Sequence, residues 1–157
     1  MIDQIEKWID DNNIYYSGIR QSCTIFSDEF NGFYSHEFLT NSYFVPVDKI
    51  PKPDFPGLRN MGLGNFIDMP VTGITYKDTY YIINSAVQDL RLHFHELVHV
   101  AQWSFLGAGN FIERYIREIQ TVGYSEAPLE KMANYLDSYY FNNNIPFDVP
   151  NYVKEKI

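Results

Sequence analysis

Residues 86–106 contain no proline or glycine, and inside that run two histidines stand four apart, in His95-Glu96-Leu97-Val98-His99. Leu92, Phe94, Leu97, Val98, Ala101 and Phe105 supply apolar positions through the segment at helical spacing. A strand cannot bring residues i and i+4 onto a common face one turn apart, whereas a helix of about 3.6 residues per turn does. The run is therefore expected to be a buried helix with both imidazoles on one face.

Two nitrogens placed this way can reach one metal ion, and the Glu96 carboxylate, slightly to the side, can reach a water beside it. Zn²⁺ lowers the pKa of such a water, and a nearby carboxylate can take the proton and hand it on. The competing interpretation is a core helix whose histidines merely lie one turn apart. The apolar context and the intact Glu96 favour a metal site, with zinc as the expected ion and manganese or cobalt as chemically compatible ones.

A catalytic zinc takes three protein ligands and keeps a fourth position open. The metzincin extension needs glycine at 102 and histidine at 105, where this chain has Gln102 and Phe105. No cysteine lies downstream, and His93 falls roughly opposite His95 around a helix. The third ligand is therefore expected to be a carboxylate. Glu130 ranks first, because Pro128 suits a first helical turn, Ser125 offers a cap, and Leu129, Met132, Ala133, Leu136 and Tyr140 repeat at helical spacing. Glu118 and Glu126 remain alternatives. Asn134, one turn after Glu130, is expected to orient a ligand histidine. Tyr124, just before the Pro-Leu-Glu element, is a candidate electrophile for a developing oxyanion.

The segments HELVHVAQW and GYSEAPLEKMAN resemble a group of small bacterial HExxH proteins with gluzincin-like metallopeptidase architecture. Their usual pattern is HELVHVxQ, then GYxxNPLExEA. The similarity covers roughly Gly73 to Tyr140. It implies Glu130 as the third zinc ligand and zinc-dependent hydrolysis of a peptide or protein substrate, with Glu96 as general base. Ala127 stands where asparagine is usual and Met132 where an acid is common, and neither departure removes a ligand. Two other functions compete: a zinc-containing module that binds a peptide or protein without cutting it, and a metal-free helical interaction protein. Glu96 favours chemistry, since a structural zinc has no need of a carboxylate there.

The 157 residues are expected to form one α+β domain, 1–157, with a small antiparallel sheet packed on a helical core containing the HExxH helix. A net charge of −8 disfavours nucleic acid and anionic membranes as partners. An inhibitory partner is left open. The single cysteine, Cys23, is expected to be a small buried residue. The acidic N-terminus lacks a signal-peptide pattern, so cytoplasm is the expected compartment.

Along the chain, Ile2, Ile5, Trp8 and Ile9 suggest a first helix, and residues 28–65 suggest a loop-rich stretch that wraps the site or one side of the sheet. Prolines would confine a strand at Tyr43–Val47 to the periphery. Gly73–Tyr76 and Thr79–Ile83 read as a hairpin around Lys77-Asp78, whose second arm could offer its edge to an extended peptide. Asn110 with Glu113 resembles a capping box for a helix that carries Phe111, Ile112 and Tyr115 inward. The tail containing Pro146 and Pro150 is expected to be extended.

Overall fold

Side chains alternate along Tyr43–Val47 and Thr79–Ile83, so a sheet containing both strands is covered on both faces. In the computed structural model, which describes residues 1–157, α1 (Ile2–Tyr15) leads to β1 (Gln21–Ser22), a 3-10 turn at Cys23–Phe26, α2 (His36–Thr40) and β2 (Tyr43–Val47). Two short helices, α3 (Pro56–Leu58) and α4 (Gly64–Asp68), flank a π-type turn at Arg59–Leu63. The hairpin β3 (Gly73–Tyr76) and β4 (Thr79–Ile83) follows. Four helices complete the chain: α5 (Leu90–Leu106), α6 (Ala108–Val122), α7 (Pro128–Phe141) and α8 (Val149–Lys156).

The α+β class is as expected, and the sheet is mixed. Its order is β1-β2-β4-β3, with β2 and β4 parallel and the other neighbours antiparallel. Phe44, Tyr80 and Ile82 face one apolar core, together with Phe94, Leu97 and Val98 of α5. Val45, Val47 and Tyr81 face the other, together with Ile5 and Ile9 of α1 and Phe111 and Ile112 of α6. Each such side chain contributes about 1.5–3 kcal/mol by leaving water. His93 belongs to the first core: its Nε2 lies 2.8 Å from the Val87 carbonyl and its Nδ1 2.6 Å from the Tyr80 hydroxyl. Burial lowers its pKa, and burial likewise pushes the Cys23 thiol up to about 12, so neither group is poised for chemistry.

Several local readings are corrected by the packing. The second hairpin arm, β4, is paired on both sides, so its edge is not free. The outer strand is β3, and its Thr75 and Tyr76 carbonyls already accept Trp103 Nε1 at 3.1 Å and Asn13 Nδ2 at 3.0 Å. Strand β2 lies inside the sheet, and its Pro46 falls beyond the reach of the two-residue β1. The stretch 28–65 condenses into α2, β2, α3 and the following turn. Helix α6 starts at Ala108 after Gly107, so Asn110 sits inside its first turn, donating to the Leu106 carbonyl, and no capping box forms. The tail is helical from Val149, because Asp148 caps the Asn151 N–H at 3.0 Å and Pro150 lies in the first turn. No helix is long and apolar enough to cross a membrane.

Candidate metal centre

Helix α5 spans 17 residues from an Asp89 N-cap to Gly107, whose φ of 80° stops it. His95 and His99 leave its face with their Nε2 atoms 3.2 Å apart. Glu130, in the first turn of α7, brings Oε1 to 3.1 Å from His95 Nε2 and Oε2 to 3.0 Å from His99 Nε2. All three residues are buried, with exposures of 8%, 4% and 4%. They form a group of ligand atoms lying within 4.8 Å of one another.

The backbone next to Glu130 is held from two helices. Glu118 Oε1, on α6, accepts the Leu129 N–H at 2.9 Å, while Gln102 Nε2, on α5, donates to the Leu129 carbonyl at 3.0 Å. Glu118, a rival ligand by sequence, therefore caps the helix that carries Glu130. This replaces the expected Ser125 cap; the N-cap position is Ala127, whose side chain makes no capping bond. Glu126 is exposed and pairs with Lys131 at 3.0 Å. Tyr115 donates its hydroxyl to Glu130 Oε2 at 2.6 Å, adding a third restraint from α6.

Both histidines are oriented through Nδ1. His95 Nδ1 lies 2.7 Å from Asp137 Oδ2, and the other oxygen of Asp137 accepts Arg91 Nε at 2.7 Å. His99 Nδ1 lies 2.7 Å from Gln102 Oε1, whose amide nitrogen is already committed to Leu129. With acceptors at both Nδ1 atoms, each ring keeps a proton there, so Nε2, which faces Glu130, is the atom that can bind an ion once it has given up its own proton. Two such nitrogens and a carboxylate, each fixed by an outer partner, fit the needs of a divalent cation.

Asn134 does not take the orienting role expected of it; it is exposed on α7. Seven residues advance a helix to within about 20° of the starting direction, whereas four overshoot by about 40°. Asp137, seven after Glu130, thus faces α5, and Asn134 turns to solvent. Gln102 carried a legible signal, being a polar residue three positions after His99 within an apolar run. Thr75 and Tyr115 carried none.

Glu96 is 3% exposed and stands beside the cluster, its Oε2 3.8 Å from His95 Nε2. The Thr75 hydroxyl lies 2.9 Å from Glu96 Oε1 and 3.2 Å from the Glu96 carbonyl oxygen, which ties the carboxylate to strand β3. A Cβ on Gly73 would meet Glu96 Cδ at 3.2 Å and Cγ at 3.3 Å, so the neighbouring glycine makes room for this rotamer. Burial raises the Glu96 pKa against the pull of the two histidines. Burial opposes charge on His95, yet Asp137 and Glu130 push its pKa up to about 10. Burial also opposes charge on His99, and Glu130 overrides it in the same direction. Glu130 is itself held well below its ordinary value, the histidines outweighing its burial.

A cation must displace the protons those rings would otherwise hold. Metal affinity is therefore expected to rise from about pH 6 to about pH 8, by up to about tenfold per unit for each proton displaced. Competitive zinc titration at the two values measures this, and equal affinities would contradict the assignment of the imidazoles as ligands.

Tyr124 borders the same space, stacked on Phe66 at 5.7 Å between centroids. Burial raises its pKa, with further contributions from Glu130 and Glu96, so it stays a neutral hydrogen-bond donor. Comparison with family models, with curated proteins and with solved structures gave no significant match.

Proposed function

We propose that this chain is a zinc-dependent peptide-bond hydrolase. The observation that carries the proposal is a buried His95, His99 and Glu130 cluster with a fourth group, the Glu96 carboxylate, held beside it by Thr75. His95, His99 and Glu130 would hold the ion. Bound there, zinc would lower the pKa of a water and polarise a carbonyl.

The other tasks fall to the chain itself. Thr75 fixes Oε1 of Glu96 and leaves Oε2 to accept a proton from the attacking water. The burial that raises the Glu96 pKa strengthens it as a base and lets the same group deliver that proton to the departing amine. Asp137 and Gln102 keep the imidazoles aligned through the cycle. Tyr124, which lines the space beside Glu96 and Glu130, would donate a hydrogen bond to the oxygen on which negative charge develops.

A peptide-library digest tests the reading, with wild-type protein compared with His99→Ala and with chelator-treated protein. Cleavage is expected from the wild type alone, restored by zinc after chelation. Cleavage that persists in His99→Ala would overturn it.

A further inference from the structure

A second hollow lies between the end of α1, helix α2, the turn of the β3–β4 hairpin and the C-terminal half of α5. It is an open groove of about 840 Å³, within the range of ligand sites. None of His95, Glu96, His99 and Glu130 lines it. Ile14, Phe38, Val100 and Trp103 give it apolar walls, and Arg20 and Asp78 stand among its polar ones.

Arg20 differs from the other arginines of the chain. Arg59, Arg91, Arg114 and Arg117 each donate side-chain hydrogen bonds to carboxylates. The Arg20 guanidinium donates none, and the Asp78 carboxylate stands off, with Oδ2 3.9 Å from Nη1. Tyr43 holds the group in place instead, its ring centroid 3.6 Å from Arg20 Cζ. The other cation of the groove, Lys77, is committed to Glu6 and Asp10 at 2.7 Å each. A guanidinium fixed by stacking, with its fork of donors open, suits a planar oxyanion.

We infer that this groove binds the C-terminal residue of a peptide, with the terminal carboxylate on Arg20 and an apolar side chain against the walls. The inference does not depend on the hydrolase reading. Asp78 supplies the second half of the recognition. Its Oδ1 accepts the Thr79 hydroxyl at 2.9 Å, which leaves Oδ2 to accept the N–H of the bound residue. Donor fork and acceptor thus stand side by side, and a chain end carries the matching carboxylate and N–H on one residue.

Other anions fit less well. A dianionic phosphate would meet Asp10 and Asp78 in the same lining, with no second uncommitted cation to balance it. An aspartate or glutamate side chain would satisfy Arg20 but leave the apolar walls empty, because that side chain is spent on the carboxylate. At the rim Ile14 is 70% exposed, and Tyr15 and Ile19 are exposed near it in sequence, apolar surface of the kind that marks interaction sites.

Calorimetric titration with acetyl-Gly-Ala-Gly-Leu tests this, against the same peptide as its C-terminal amide, acetyl-Gly-Ala-Gly-Asp amide and inorganic phosphate. Zinc-loaded and chelator-treated protein are compared, and so are Arg20→Ala and Ser104→Trp. The second variant keeps Arg20 and fills the groove from an exposed position on α5. Zinc content and thermal midpoint serve as folding controls. The free-carboxylate leucine peptide is expected to bind at least about tenfold more tightly than the other three probes, equally in both metal states. Arg20→Ala is expected to weaken it by about 10–100-fold, the worth of charge-assisted hydrogen bonds, and Ser104→Trp to weaken it comparably.

Binding that vanishes on chelation, or that persists in both variants, would place the peptide elsewhere and overturn the inference. Equal binding of the amide would remove the role of Arg20. Tighter binding of the aspartate peptide or of phosphate would overturn the choice of a chain end, and no binding of any probe would overturn the site itself.

Discussion

Glu96→Gln is expected to keep its zinc and lose peptide hydrolysis by about 10²–10⁴-fold, the range associated with removing a general acid–base group. The amide retains the size of the carboxylate and can still bond Thr75 at the position now 2.9 Å from Oε1. It cannot take a proton from water. Elemental analysis together with turnover of a peptide found in the library digest separates the two functions of the site. Unchanged turnover would remove Glu96 from the mechanism, even with zinc present. Loss of zinc along with turnover would instead make Glu96 a ligand, in conflict with its position beside the three-residue cluster.

Glu130→Ala is expected to weaken zinc binding more than any other acidic substitution, because it deletes both a bond to the ion and the charge that compensates it. Competitive titration ranks it against four controls. Asp137→Asn removes the carboxylate at His95 Nδ1 and is expected to cost about 10–100-fold in affinity. Glu118→Ala keeps the ligand set but frees the Leu129 N–H, with a stability loss of about 1 kcal/mol and near-complete metal content. Glu126→Ala touches only an exposed pair, worth about 0–1 kcal/mol, and Asn134→Ala removes an exposed amide. Both are expected to bind zinc like the wild type. If Glu118→Ala shed its metal as fully as Glu130→Ala, the ligand assignment and the capping role of Glu118 would both be wrong.

The cluster His95-His99-Glu130 was legible in the sequence because each part rests on short-range geometry. One helical turn separates the histidines, and Pro128 marks the first turn in which Glu130 sits. The hairpin at residues 73–83 was legible for the same reason, since strand alternation and a two-residue turn are local properties. The tail was not: its prolines suggested extended chain, whereas Asp148 caps a helix with Pro150 in its first turn.

What the linear order could not decide depends on how the elements rotate and slide against one another. The choice of Asp137 over Asn134 turns on the roll of α7 about its axis, which is set by burial of Leu129, Ala133 and Leu136. Thr75 reaches Glu96 from 21 residues away and Tyr115 reaches Glu130 from 15, and no local pattern distinguishes them from other threonines and tyrosines. The parallel pairing of β2 with β4 is likewise a long-range choice, made because it buries both faces of the central strands. Sequence alone therefore determined the two imidazoles and ranked Glu130 first among three carboxylates, and the docking of α7 on α5 brought Glu130 to them. Tertiary packing decided which residues orient them and which walls surround the space beside them, because hydrogen bonds and apolar contacts between distant elements exist only once those elements have docked.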